Sequence, residues 1–298
     1  MSVAGSTLLD NMAKQGKCSF ATAPAYKAGW HHFSREAKIA GINRMEHIDR
    51  DFVLHYGKLL AEDVINGELK ASTAQGYLSA VNRVMSSVRL NWKSVSAVQE
   101  CLIPKREFVR TSAPIRRELY ELALTKLPNR YKALYSLCRE FGLRSKEAAL
   151  LDVRKALREA REKNAIYLSK GTKGGRDRTI PLCHRERQIA ALELAIEQLD
   201  KRDTTLVPFD KNFAQYKHGE MRVARETLEE LTGATGLHEL RAAYACERYK
   251  ELTGYDAPCV AGFREAAKEI DIEARLTIAE ELGHGRYDVT VAYLGSSK

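Results

Sequence analysis

The chain has 298 residues, of which 44% are hydrophobic and 29% charged, and its formal net charge is +9. That length and apolar content suit two domains with packed cores and exclude a disordered chain. The basic excess points to a polyanionic partner, nucleic acid first and an anionic membrane surface second.

Residues 1–17, MSVAGSTLLDNMAKQGK, are small and polar and are expected to form a flexible arm. They lack a signal-peptide core, and no later run approaches the length of a membrane span. A cytoplasmic protein is therefore expected, with no membrane partner. Cys18, Cys101, Cys138, Cys183, Cys246 and Cys259 form no C-x-x-C pair. They read as free thiols in a reducing compartment, and no metal site is expected.

Helical patterns follow. TAPAYKAGWHHFSREAKIAG sets Tyr26, Trp30, Phe33 and Ala37 three or four residues apart, the spacing of one helix face, and ends on Gly41. HIDRDFVLHYGKLLAEDVING repeats this with Phe52, Val53, Tyr56, Leu60 and Val64. STAQGYLSAVNRVMSSVRLNW predicts a third helix, capped by Ser72 or Thr73 and burying Tyr77, Val81, Val84 and Val88. These make an all-helical domain over 18–98. CLIPKREFVRTSAPIRREL breaks the pattern with two prolines and Lys105, Arg106, Arg110, Arg116 and Arg117. It reads as a basic linker over 99–114. Lys105, Arg106 and Arg110 are candidate contacts to a phosphate backbone, and a solvated charged loop is the plainer alternative.

The second domain, 115–298, is expected to open with helices at 116–127 and 130–141. AIYLS and DRTIPL then predict two short strands around KGTKGGR, a β-hairpin by its glycines, and most of the rest is helical. The fold class is thus mainly α, with a small hairpin in an α+β second domain.

Four patterns in this domain carry chemistry. In EFGLRSKEAALLD, Arg144 and Glu147 share a helix face three residues apart, as a surface ion pair would. In SKGTKGGRDRTIPL, Lys173 sits at the turn with Lys170, Arg176 and Arg178 beside it. This suits a DNA-groove contact, a lysine acid, or an exposed hairpin that merely resists edge pairing. In GLHELRAAYACERY, His238 and Arg241 lie one above the other near a helix start that favours an anion. DIEARLTIAEEL predicts a helix capped by Asp271 and stopped by Gly283. His284 then falls on a Gly-His-Gly turn, and Asp288 caps a short helix, VTVAYL, that carries Tyr293. On one continuous helix, residues nine apart face away from each other, so the glycine break is what allows His284 and Tyr293 to converge. A structural pair would account for His238 and Arg241 alone, and a helix end with a packed tyrosine for this last stretch alone.

Their sum is a specific demand. Phosphoryl transfer without a metal needs cationic donors around the phosphate, an in-line nucleophile and an acid for the leaving oxygen. Arginines supply the bidentate fork and a tyrosine the nucleophile.

GLRSKEAALLD, TKGGRDRTIPL, LHELR and ELGHGRYDVTVAYLG, in this order, resemble the four active-site boxes of the tyrosine recombinases, the phage and mobile-element integrases and Xer-type enzymes. The first domain resembles their core-binding domain in kind only. The resemblance implies a site-specific recombinase that cleaves and rejoins DNA through a 3′-phosphotyrosine link without cofactor, ATP or metal. It assigns Tyr293 as nucleophile and Arg144, Arg241 and His284 as the phosphate clamp. Lys173 becomes the acid, His238 a phosphate contact or proton acceptor, and Glu147 the group that orients the arginine region. Tyr287 is left a packing or DNA-contact role. Lys170, Arg176 and Arg178 remain DNA-binding candidates.

The resemblance also implies duplex DNA sites, a homotetramer on two of them, and accessory bending or directionality factors. Three features depart from it: Ala242 stands where a histidine is common, GYDAPCVAGFREAAKEID looks inserted, and little chain follows Tyr293. Two alternatives stay open. One is a type IB topoisomerase or telomere-resolvase-like enzyme, the other a non-enzymatic helical DNA-binding protein.

Overall fold

Helices dominate both units into which the chain divides, Met1–Glu107 and Phe108–Lys298. The computed structural model describes residues 1–20, 22–172 and 175–297.

The first unit holds α1 (Ser2–Lys14), α2 (Ala23–Ile39), α3 (Arg50–Ile65) and α4 (Ala71–Val88). Trp30, Phe33 and Ala37 bury one face of α2, as their spacing predicts, against Tyr56 and Leu60 of α3 and Val81 and Val84 of α4. The Asp49 carboxylate accepts from the Phe52 N–H at 2.7 Å and so caps α3.

Three expectations are corrected here. Residues 1–17 are not a loose arm, because Leu9 and Met12 of α1 lie in this core. Gly5 lets α1 approach: a Cβ there would fall 2.0 Å from Trp30 Nε1. α4 starts after Lys70, so Ser72 and Thr73 lie inside its first turn, and Val88, at the opposite end, is exposed. The expected linker is packed in its first half, where Cys101 and Ile103 are buried in the same core.

The second unit runs α5 (Arg117–Lys126), α6 (Asn129–Glu140), α7 (Ser145–Leu150), α8 (Val153–Lys163), β1 (Ala165–Leu168), β2 (Arg178–Pro181) and α9 (Arg185–Glu197). It continues through α10 (Phe213–His218), α11 (Glu220–Thr232), α12 (His238–Thr253), α13 (Pro258–Ala261), α14 (Lys268–Glu281), a 3-10 turn (Tyr287–Thr290) and α15 (Val291–Leu294). β1 and β2 pair antiparallel, with Ile166 opposite Ile180. Both isoleucines are buried, which fixes the register.

Two caps expected from sequence are not caps. α14 begins at Lys268, which places Asp271 inside the helix, where its carboxylate takes Arg275 Nε at 2.9 Å and the Tyr249 hydroxyl at 2.8 Å. Asp288 lies within the 3-10 turn and pairs with Arg286 on the surface. The segment 254–271 is built into the unit, since Ala257, Cys259 and Ala266 pack with Tyr249 and Ile278.

Truncating Leu9 to alanine removes a side chain buried in the first core, so urea denaturation should show a loss of about 2–4 kcal/mol. A flexible arm would give less than about 0.5 kcal/mol.

Candidate active site

The second unit places a buried carboxylate among arginines. Glu147, in the first turn of α7, has no solvent exposure. Its Oε1 accepts from Arg144 Nη1 at 2.7 Å and Arg178 Nη1 at 3.0 Å. Its Oε2 accepts from the Arg144 N–H at 2.8 Å and Arg178 Nη2 at 2.8 Å. Arg241 Nη1 stands 3.7 Å away. Burial alone would raise the Glu147 carboxyl, but the hydrogen bonds and charge of Arg178, with Arg144, bring it down to about 2.

Arg241 sits in the first turn of α12, fully buried. Gly142 and Leu282 turn backbone carbonyls onto its Nη1 and Nη2. Gly142 makes this possible: its φ is +60°, and a Cβ there would lie 2.5 Å from the Tyr244 ring. Burial is the main cause that lowers Arg241 to about 10, so it stays charged at neutral pH.

α14 ends in a left-handed stop. Gly283 has φ +68°, its N–H bonds the Glu280 carbonyl at 2.9 Å, and the His284 N–H bonds the Ala279 carbonyl at 2.7 Å. This paired closure pins His284 one residue beyond the glycine. The chain then turns back, and α15 brings Tyr293 to the histidine. Arg241 Nε donates to the Tyr293 hydroxyl at 3.2 Å, and His284 Nε2 lies 3.2 Å from the same oxygen.

Arg241 Nη2 is also 3.3 Å from His284 Nε2. A guanidinium only donates, so Nε2 is the accepting nitrogen of a neutral ring with its proton on Nδ1. The Tyr293 hydroxyl then accepts from Arg241 and donates to His284. Burial, then the charges of Arg241, Arg144 and Arg178, hold His284 down to about 4. His238, at the first position of α12, stacks obliquely on the Tyr293 ring with centroids 5.2 Å apart. Its outer edge meets solvent, yet crowding around the ring and the Arg241 and Arg144 charges lower it as well.

A buried phenol is therefore held between a fixed cation and a neutral base, beside a second arginine and a helix N-terminus. This arrangement can bind a phosphate and deprotonate a tyrosine.

Residues 110–247 match the family model described as Integrase, within the second unit. This stretch of the second unit is therefore similar to the integrases. No curated protein matches the chain by sequence. Among solved structures, the chain is similar to the XerH site-specific recombinase bound to palindromic difH substrate (17% identical, 96% of this chain and 80% of that one, TM-score 0.62). It is also similar to a lambda integrase dimer bound to a COC' core site (14%, 98% and 94%, TM-score 0.61). A third is the Tn1549 transposon integrase with circular intermediate DNA (13%, 99% and 96%, TM-score 0.58). At these identities the likeness is one of fold: mainly α with a small antiparallel hairpin, as the sequence predicts.

Against that recombinase fold, the residues singled out from sequence divide. Arg144, Glu147, His238, Arg241, His284 and Tyr293 come together. Lys173 lies outside the described residues. Lys105, Arg106, Lys170 and Arg176 are exposed. Arg176 flanks the histidine turn, where a Cβ on Gly285 would meet its Nη1 at 2.7 Å.

Two candidate DNA contacts are corrected. Arg178 is buried, with its fork on Glu147 and its Nε on the Glu281 carbonyl at 2.7 Å. Arg110 forks onto Glu239 and bonds the Ser112 carbonyl, so its donors face the protein. Sequence reading named Arg178 but missed its inward role, although the signal was there: strand alternation puts it on the face of buried Ile180.

Gly142→Ala should cost about 1–3 kcal/mol in urea denaturation, from the strained φ and the Tyr244 clash. A second test concerns pH. His284 falls from 6.5 unfolded to about 4 folded. Between those values the unfolded chain binds more protons, so stability declines as pH drops from 6.5 toward 4. The melting temperature of His284→Asn should fall less steeply than that of the parent across this window.

Proposed function

We propose that the protein is a site-specific DNA recombinase that cleaves and rejoins duplex DNA through a covalent 3′-phosphotyrosine intermediate. One observation carries this reading: the Tyr293 hydroxyl lies between Arg241 and His284, donating to the neutral ring and accepting from the guanidinium.

In the proposed step, Tyr293 Oη attacks a backbone phosphorus, the Oη–P bond forms, and the P–O5′ bond breaks. The phenol proton passes to His284 Nε2. Arg241 and Arg144 neutralise the charge that builds on the non-bridging oxygens, where fixed donors lower the barrier most. His238, at the α12 N-terminus, adds a donor to the phosphate. Lys173 protonates the leaving 5′ oxygen. The link keeps the energy of the phosphodiester, so a second 5′ hydroxyl rejoins the strand by the reverse path.

Gly142 and Leu282 hold Arg241 Nη1 and Nη2 and Tyr293 takes Nε, so in the proposed step the phosphate displaces the phenol from Nε on entry. The net charge of +9 supports phosphate-backbone binding. The DNA-bound recombinases whose fold the chain shares support duplex sites as its substrate. We assign it to a mobile element's integration and excision, acting as a homotetramer across two sites with accessory bending or directionality factors, in the cytoplasm on the nucleoid.

Duplexes enriched from a random pool by the Tyr293→Phe protein, then nicked near the cleavage point, test this. The parent protein should form an adduct stable to denaturant, while Tyr293→Phe should bind with equal affinity and form none. Adduct formation that survives in Tyr293→Phe, or its absence in the parent, would end the recombinase reading. Arg144→Lys and Arg241→Lys should each slow cleavage about 10²–10³-fold, because a point charge cannot replace the fork.

A further inference from the structure

We propose that Arg178 is a positioning residue for DNA cleavage: from β2 it holds the Glu147 carboxylate and the Glu281 carbonyl together, fixing Arg144 on one side and the His284 turn on the other. This rests on the recombinase reading and adds a residue to it.

All three guanidinium nitrogens of Arg178 are engaged. Nη1 and Nη2 reach the two Glu147 oxygens at 3.0 and 2.8 Å, and Nε reaches the Glu281 carbonyl at 2.7 Å. Each Glu147 oxygen is shared with Arg144, which is 21% exposed in its side chain where Arg178 is only 6% exposed. The outer arginine can meet a phosphate; the inner one holds the carboxylate that orients it.

On the other side, Glu281 precedes Leu282, whose carbonyl takes Arg241 Nη2, and lies three residues before His284. The turn itself is shaped around Arg178: a Cβ on Gly283 would fall 2.9 Å from Nη1 and 3.0 Å from Cδ. Arg178 thus joins β2 to α7 and to the end of α14. Lysine, with one point charge, cannot reach three acceptors in two directions.

The charge matters as well as the shape. Glu147 is faced by Arg144 from its own turn, Arg178 from β2, Arg241 from α12 and the Cys138 thiol from α6. Arg178 is the first partner that opposes burial at Glu147, and its charge also depresses His284. Without it, both groups take up protons at higher pH.

The experiment compares the parent, Arg178→Lys and Arg178→Met at saturating nicked DNA, measuring the single-turnover rate of adduct formation and, separately, the Kd. The expected result is a rate lower by about tenfold in the lysine variant and about a hundredfold in the methionine variant, with Kd within about twofold of the parent. The acid limb of the rate should move to higher pH in the methionine variant, which loses the charge, and much less in the lysine variant, which keeps it.

A saturating rate within about twofold of the parent in both variants, with a weakened Kd, would overturn the proposal and make Arg178 a DNA contact. If the methionine variant does not fold, the lysine variant decides by the same criteria. Hydrogen–deuterium exchange gives a readout without activity: peptides spanning 281–286 should lose protection in the variants. Should the parent form no adduct while these peptides are released, the recombinase reading fails and the tether stands; unchanged protection defeats the tether.

Discussion

The second unit is organised around one buried charge. Glu147 has no solvent exposure, and an ionised carboxylate in such a place is tolerated only when hydrogen-bonded cations surround it. Arg144 and Arg178 fill its oxygens, and Arg241 stands just beyond. Because those arginines come from the α7 turn, β2 and α12, satisfying one carboxylate sets the mutual geometry of three elements. Burial first, and then the charges of the same arginines, lower His284, so the cluster that builds the site also favours the neutral imidazole.

Backbone groups complete what side chains begin. Arg241 is buried against the carbonyls of Gly142 and Leu282, fixed dipoles that orient its plane before any substrate arrives. Each carbonyl depends on a left-handed glycine, Gly142 itself in one case and Gly283, directly after Leu282, in the other. The glycines that read as punctuation in the sequence are thus part of the arginine's coordination.

The tyrosine segment is held from behind. Arg275, paired with Asp271, donates to the Gly295 carbonyl at 3.2 Å and the Ser296 carbonyl at 3.3 Å. Arg110 bonds the Val291 carbonyl through its own N–H and forks onto Glu239. The Sγ atoms of Cys246 and Cys259 lie 3.5 and 3.4 Å from the Tyr293 carbonyl. Short as α15 is, its tyrosine is seated by contacts from α12, α13 and α14, which locate the hydroxyl.

Local chemistry was legible where a residue's own conformation decides the outcome. The stop at Gly283, the helix faces of Trp30 and Phe33, the hairpin strands and the return of Tyr293 toward His284 all follow from short-range periodicity and glycine freedom. Partners far apart in the chain were not. Arg178 meets Glu147 across 31 positions, and only the folded hairpin brings the strand to α7. Its basic character suggested DNA, whereas its place on the inward face of β2 made it an internal tether. Residues 1–17 suggested a loose arm because small residues dilute their hydrophobicity. Leu9 and Met12 become core only once Trp30 offers them a surface. Sequence determined which residue types were present and how each segment would bend; tertiary packing decided which charges would be buried together, since burial is what turns a surface arginine into a structural one.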